Sequence, residues 1–293
     1  MAGLTVACVQ LNPGDDLAAN VATASEFIRQ AAVGGAQFVA LPEFCTFLHR
    51  SGTAMRAAAK PEDEHPGLQG LLVAARDSGV WLLAGSIVVK SEDDAGRLAN
   101  RSYLISPEGA CVATYDKLHM FDAILPDGRE TLESRSYRAG RHAVVVRLPS
   151  ATLGLSICYD LRFPSLYRAL ARSGADILMV PSAFAAATGK AHWHTLLRAR
   201  AIENGCFVVA PATCGMHPGG WQTFGHSMIV DPWGEILAES GQSPGLATAT
   251  IDLSAVASTR SQLPTLRSDV SFDVEEFDST NPVKRPSDEL SHH

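Results

Sequence analysis

The chain has 293 residues, 46% hydrophobic and 19% charged, enough apolar material for one large core or two closely packed halves and too much for a disordered chain. Its formal net charge is -7 and no Lys/Arg cluster stands out, which excludes the electrostatic footprint of a nucleic-acid partner. No run approaches the ~20 apolar residues of a membrane-spanning helix, so no membrane partner is expected.

The N-terminal MAGLTVACVQ has no basic n-region and too short an apolar run for a signal peptide, so it reads as a first strand in a cytoplasmic protein. Apolar runs then alternate with segments of helical period: strand Leu4–Leu11, helix Leu17–Val33, strand Ala36–Leu41, helix Leu68–Ser78, strand Val80–Val88. That alternation is an α/β signature. Arg101–Ile105 and Ala110–Asp116 flank Ser-Pro-Glu-Gly and form a hairpin. Strands Val144–Leu148 and Thr152–Cys158 follow, then helix Leu166–Ser173, strand Ala175–Val180 and helix Ala191–Asn204, with Gly205 as its left-handed cap. Cys206–Ala210 and Ser227–Val230 are further strands, and the turn at Asp231 leads into Glu235–Glu239.

Arg29, Gly35-Ala36 and Pro42 match Arg168, Gly174-Ala175 and Pro181 at one constant spacing, each time as helix, Gly-Ala, apolar strand and Pro. The repeat makes two pseudo-symmetric halves and puts Glu43 and Ser182 just past two strand ends, where open α/β sheets bind ligands. Residues 268–293 differ: seven acidic residues, two basic residues, two prolines and little apolar periodicity mark a polar tail, either flexible or draped on the surface. The domain expected is therefore 1–267, with 268–293 as its tail.

Six cysteines lie scattered without CxxC spacing, mostly in apolar runs, and read as reduced, buried thiols rather than disulfide or zinc ligands. Cys158 closes an apolar strand before Tyr-Asp-Leu-Arg-Phe-Pro; a strand-to-turn junction can hold its sulfur at a crevice mouth, with the Tyr159 N–H as an oxyanion donor. Taken alone it fits a core thiol better. Glu43 sits in the apolar stretch Ala-Leu-Pro-Glu-Phe, where burial suits a carboxylate to proton transfer, although a turn carboxylate fits as well. Lys117 is either a solvated hairpin-end lysine or a fixed cation facing developing negative charge.

Together the segments around Glu43 (LPEF), Lys117 (YDKLHMFD) and Cys158 (SICYDLRFP) resemble the nitrilase superfamily of carbon–nitrogen hydrolases, with its Glu-Lys-Cys triad. The resemblance covers about residues 4–267. It implies a four-layer α-β-β-α sandwich and an amidase working through a Cys158 thioester, with no metal and no organic cofactor. It also singles out Glu133, matching a second glutamate that supports the lysine and the bound substrate; periodicity alone leaves Glu133 as a loop residue. The implied partner is a small-molecule amide, and the implied assembly is a homodimer or higher homo-oligomer through the helix after the nucleophile strand and the helix Ala191–Asn204, where Trp193, Leu196 and Leu197 lie on or near one helical face that core packing explains equally well.

The segments Phe44–Arg50, Thr188–Trp193, Leu197–Glu203 and Gly225–Gly234 resemble the branch whose members act on deaminated glutathione, which implies a carboxylate-bearing substrate, with the ω-amide 2-oxoglutaramate as second choice. The branch commonly carries glutamate after the tryptophan, where this chain has His194. Arg162 and Lys190 are the candidate cations for substrate carboxylates. A serine hydrolase is disfavoured because neither Gly154–Cys158 nor Gly225–Ile229 supplies the final glycine of a nucleophile elbow. His192 and His194 are two apart and face different ways on a helix, so they do not share a metal. A catalytically silent binding protein of the same fold is the remaining class.

Overall fold

The computed structural model describes residues 3–91, 96–125, 128, 130–268 and 270–277. The first half runs β1 (Leu4–Gln10), α1 (Leu17–Val33), β2 (Phe38–Ala40), α2 (Gly52–Ala58), α3 (Pro66–Ser78), β3 (Trp81–Lys90), β4 (Leu98–Ile105) and β5 (Cys111–Asp116). A short hairpin, β6 (Asp122–Ile124) and β7 (Glu130–Leu132), leads to β8 (Val144–Arg147), β9 (Thr152–Leu155), α4 (Pro164–Arg172) and β10 (Ile177–Met179). The remainder is α5 (Ala186–Asn204), β11 (Phe207–Ala210), β12 (Cys214–His217), β13 (Trp221–Phe224), β14 (Met228–Val230), β15 (Ile236–Glu239), β16 (Gly245–Ile251) and α6 (Ser254–Gln262).

Helix ends follow local chemistry. Asp16 caps α1 by accepting from the Ala19 N–H at 3.0 Å. Pro66 sits in the first turn of α3, and Gly205 takes a left-handed φ of 55° after α5, as expected of a glycine cap.

Two six-stranded sheets form, in the orders β16-β1-β2-β3-β4-β5 and β15-β14-β11-β10-β9-β8. Alternate side chains of β1 go to opposite layers. Val6 and Cys8 join a core that also holds Leu153, Leu155, Leu178 and Val208 of the second sheet, whereas Ala7 and Val9 pack with Ile28 of α1 and Leu71 of α3. Helices α4 and α5 bury Leu170, Trp193 and Leu197 against the second sheet. The layers are thus α-β-β-α.

Several expectations need correction. The strand before Cys158 ends at Leu155, and Cys158 itself, after an extended Ile157, adopts a left-handed φ of 49° that no strand accommodates. Trp193 and Leu197 are fully buried, with the Trp193 indole donating to the His226 carbonyl at 2.8 Å, so they belong to the core and not to a subunit face. Of the expected tail, residues 269 and 278–293 lie outside the described residues; the part seen is exposed, with Val270, Phe272, Val274 and Phe277 facing solvent.

Candidate active site

Glu43 follows the carboxyl end of β2. Ser86 shapes the turn: its hydroxyl accepts from the Phe44 N–H at 3.0 Å, its carbonyl from the Cys45 N–H at 3.1 Å, and its own N–H donates to the Pro42 carbonyl at 3.2 Å. Phe44 takes a left-handed φ of 57° there. Gly85 is required beside it, since a Cβ would collide with the Leu41 carbonyl and lie 2.5 Å from Pro181 Cβ. Gly85 therefore lets the two repeat-related strand ends come close on either side of it. Across that seam the Ala183 N–H donates to Glu43 Oε2 at 2.7 Å, while within the second sheet the Cys158 N–H donates to the Pro181 carbonyl at 2.9 Å, fixing the cysteine at the neighbouring strand end.

Cys158 opens a single 3-10 turn, Cys158–Arg162. Asp160, fully buried, fixes that turn by accepting from the Ile157 N–H at 2.9 Å, the Tyr115 hydroxyl at 2.6 Å and the His119 N–H at 3.0 Å. It thereby ties the cysteine turn to the segment carrying Lys117. The Tyr159 N–H lies in the first turn, among the donors a helix does not use itself. Lys117 ends the β5 ladder, its N–H donating to the Asn100 carbonyl at 3.0 Å.

These folds bring Glu43, Lys117, Glu133 and Cys158 together. Lys117 Nζ donates to Glu43 Oε1 at 3.0 Å and to Glu133 Oε2 at 2.8 Å, and Glu133 Oε2 also accepts from the Phe121 N–H at 2.6 Å. Burial alone pushes the Lys117 ammonium down, but Glu133 and Glu43 outweigh it and hold the lysine charged well above its ordinary range. Burial first, and the Glu43 charge second, push the Cys158 thiol well above its ordinary range against the opposing pull of Lys117. Burial likewise raises Glu133, with Lys117 opposing. The resting thiol is therefore protonated and sits beside a carboxylate and a fixed cation.

All four residues line one cavity of about 300 Å³, whose wall also includes Arg50, Tyr137 and Trp221. Cys158 further borders a small recess formed by Tyr159, Arg162, Phe184 and Thr188. Arg162 lies over the Phe184 ring at 5.1 Å and the Tyr159 ring at 5.8 Å, and contacts His192 Nδ1 at 3.2 Å. Lys190, by contrast, is exposed on α5 and lines neither space, since it lies two residues from Thr188 and so on a different face of the same helical turn. Sequence reasoning missed Asn100, whose buried amide donates to Glu43 Oε1 at 2.8 Å; it opens the polar run Asn100-Arg101-Ser102 of β4, where nothing in the sequence pattern marks it out. It also missed Arg50, His49 and Trp221, which periodicity cannot connect to the site.

His192 and His194 diverge as expected. His194 meets His226 and Glu239, with ligand-type atoms all within 4.8 Å of one another.

The sequence model described as Carbon-nitrogen hydrolase matches residues 5–261. A deaminated glutathione amidase of Synechocystis sp. is 44% identical over 264 residues, 89% of this chain and 96% of that one. The Caenorhabditis elegans NitFhit crystal structure superposes with a TM-score of 0.85 at 36% identity, covering 92% of this chain, which spans 65% of that longer protein. The amidase from Nesterenkonia sp. AN1, seen with acrylamide added to its active-site cysteine, gives a TM-score of 0.73 at 26% identity over 89% of this chain and 98% of that one. With a buried thiol, carboxylate and ammonium converging on one cavity, this chain belongs to the carbon–nitrogen hydrolase family of the nitrilase superfamily, as a cysteine-dependent amidase.

Proposed function

We propose that the chain hydrolyses deaminated glutathione to 2-oxoglutarate and Cys-Gly through a thioester on Cys158. The observation that carries this reading is the buried contact of Lys117 with Glu43 and Glu133 beside a protonated thiol in the wall of a cavity. Glu43 takes the thiol proton as sulfur attacks the amide carbonyl, and Lys117 with the Tyr159 N–H stabilises the oxyanion. Glu43 then passes the proton to the departing amine, the C–N bond breaks, and Cys-Gly leaves. Water, deprotonated by Glu43, attacks the thioester; the C–S bond breaks and the thiol regains its proton. Glu133 keeps Lys117 aimed, and Arg162 is the cation for the carboxylate of the 2-oxo acid.

The 44% identical deaminated glutathione amidase supports the substrate choice. The test is kcat/KM on deaminated glutathione, 2-oxoglutaramate, glutamine and simple aliphatic amides, with intact-mass detection of the acyl-enzyme. Deaminated glutathione should be preferred by about 10-fold or more, the reach of a further charge-assisted contact. Preference for glutamine or aliphatic amides overturns the substrate. Preference for 2-oxoglutaramate makes the chain an ω-amidase, and absence of both turnover and adduct makes it a silent binding protein.

We also propose a cytoplasmic homodimer. Six free thiols suit a reducing compartment. Ile202 of α5 and Trp233, Ile236 and Leu237 near β15 are exposed large apolar side chains, a better subunit face than Trp193 and Leu197. Sedimentation at the 31.1 kDa monomer alone refutes the dimer.

A further inference from the structure

Deaminated glutathione bears carboxylates at both ends, and the reading above uses only one of them. We propose that Arg50 and His49 form an anion subsite at the mouth of the main cavity that takes the free carboxylate of the departing dipeptide. The proposal rests on the deaminated glutathione reading and names how the leaving half of that substrate is held.

Arg50 lines the same cavity as Cys158, yet Arg50 is exposed while Cys158, Glu43 and Lys117 are buried, which puts Arg50 at the open end and the thiol inside. The charges of the wall then matter. Glu43, Glu130 and Glu133 repel an anionic substrate, and Lys117 is already committed to Glu43 and Glu133. Among the described residues the Arg50 guanidinium has no ion pair or side-chain hydrogen bond, so its charge is available to the cavity and its planar fork matches a carboxylate.

His49 adds a second donor. Its Nδ1 accepts from the Ser51 N–H at 2.8 Å, which places the proton of the neutral ring on Nε2.

The segment is braced. The Arg50 N–H donates to the Pro218 carbonyl at 3.0 Å, and the His49 N–H contacts Met55 Sδ at 3.3 Å. Gly219, at a left-handed φ of 84°, lets the β12–β13 turn press close; a Cβ there would lie 2.8 Å from Arg50 Cβ. Between the ends, Leu48, Met55, Tyr137 and Trp221 give apolar wall for the cysteine side chain of the dipeptide. Two residues of extended chain span about 7 Å, so the glycine carboxylate extends well away from the scissile carbonyl, toward the mouth.

The test is a cycle of two enzymes and two substrates. Wild type and Arg50→Gln are assayed with deaminated glutathione and with its analogue amidated at the glycine carboxylate, 2-oxoglutaramate serving as the reference without a dipeptide. In wild type, capping should raise KM by about 10- to 100-fold with little change in kcat, since a remote contact binds ground and transition states alike. Arg50→Gln should lower the ratio of kcat/KM for deaminated glutathione over 2-oxoglutaramate by a similar factor and erase the difference between capped and free substrate. Arg50→Lys, which keeps the charge without the fork, should recover part of it. Normal wild-type turnover of deaminated glutathione with no penalty for capping, or a capping penalty that survives Arg50→Gln, overturns the subsite and leaves the substrate reading intact. Failure of wild type to cleave deaminated glutathione overturns both.

Discussion

Lys117 with Glu43 and Glu133, and Glu239 with His194 and His226, are both three-membered clusters of titratable side chains held at hydrogen-bond distances, yet their surroundings are opposite. The side chains of the first are 2%, 2% and 8% exposed, while those of the second are 31%, 37% and 20% exposed. Desolvation costs several kcal/mol per buried ion, a cost apolar residues of like volume avoid. Stability alone would fill the first site with leucine. The buried cluster earns its place through chemistry, because a dry cavity strengthens the field of Lys117 on a developing oxyanion. The exposed cluster is screened by water and is worth little.

Breaking the buried site should have the largest effects. Cys158→Ala should lower kcat at least about a thousandfold, since no other group forms the thioester, while circular dichroism stays native. Turnover within tenfold of wild type would remove Cys158 from the mechanism. Lys117→Met should be nearly as damaging and should also destabilise the fold by about 3–5 kcal/mol, because it leaves two buried carboxylates unpaired. A denaturant midpoint like that of wild type would show that the cluster is better hydrated than its burial indicates. Glu133→Gln keeps the lysine and its Glu43 partner, so kcat should fall by only about 10- to 1,000-fold with binding less affected; a pure KM change would assign Glu133 to substrate contact instead.

The exposed cluster sharpens the contrast from the other side. His194→Ala should leave kcat unaltered and cost under about 1 kcal/mol at neutral pH. Burial raises Glu239, but the hydrogen bonds from His226 and His194 outweigh it and hold the carboxylate below its ordinary range. A folded-state value below the unfolded one stabilises the fold above the ordinary glutamate range and loses that contribution as pH falls through the depressed value. The difference in melting temperature between wild type and His194→Ala should therefore shrink on acidification below that range; a difference growing in acid would contradict the pairing.

The strands and helices of strong period were legible in the sequence: α1 has the bounds expected, and the repeat at Pro42 and Pro181 locates the two strand ends that meet. The triad segments were legible only jointly, through their resemblance to a family, because a thiol, a carboxylate and a lysine each have a commoner structural fate. What escaped was short or set by distant contacts. β6 and β7 have three residues each, too few for a period, and Glu133 is brought to Lys117 by the chain reversal they make. Arg50 and Trp221 face one cavity through tertiary packing alone. Lys190 lies on α5 yet lines neither space, because sequence position within a helix does not by itself say which face reaches a cavity.

The antiparallel pairing of β1 with β16 joins Leu4 to Ile251 and Gln10 to Gly245, almost the full span of the folded chain. On the ribosome, β1 emerges first and waits for nearly the whole sequence before its second neighbour exists, leaving an unpaired edge in the interval. Closing so long a loop makes this pairing a late and slow event. The first sheet, and with it the seam where Glu43 meets Ala183, therefore completes only near the end of synthesis, so a chain truncated before residue 245 should collect as aggregate and not as a partly active enzyme.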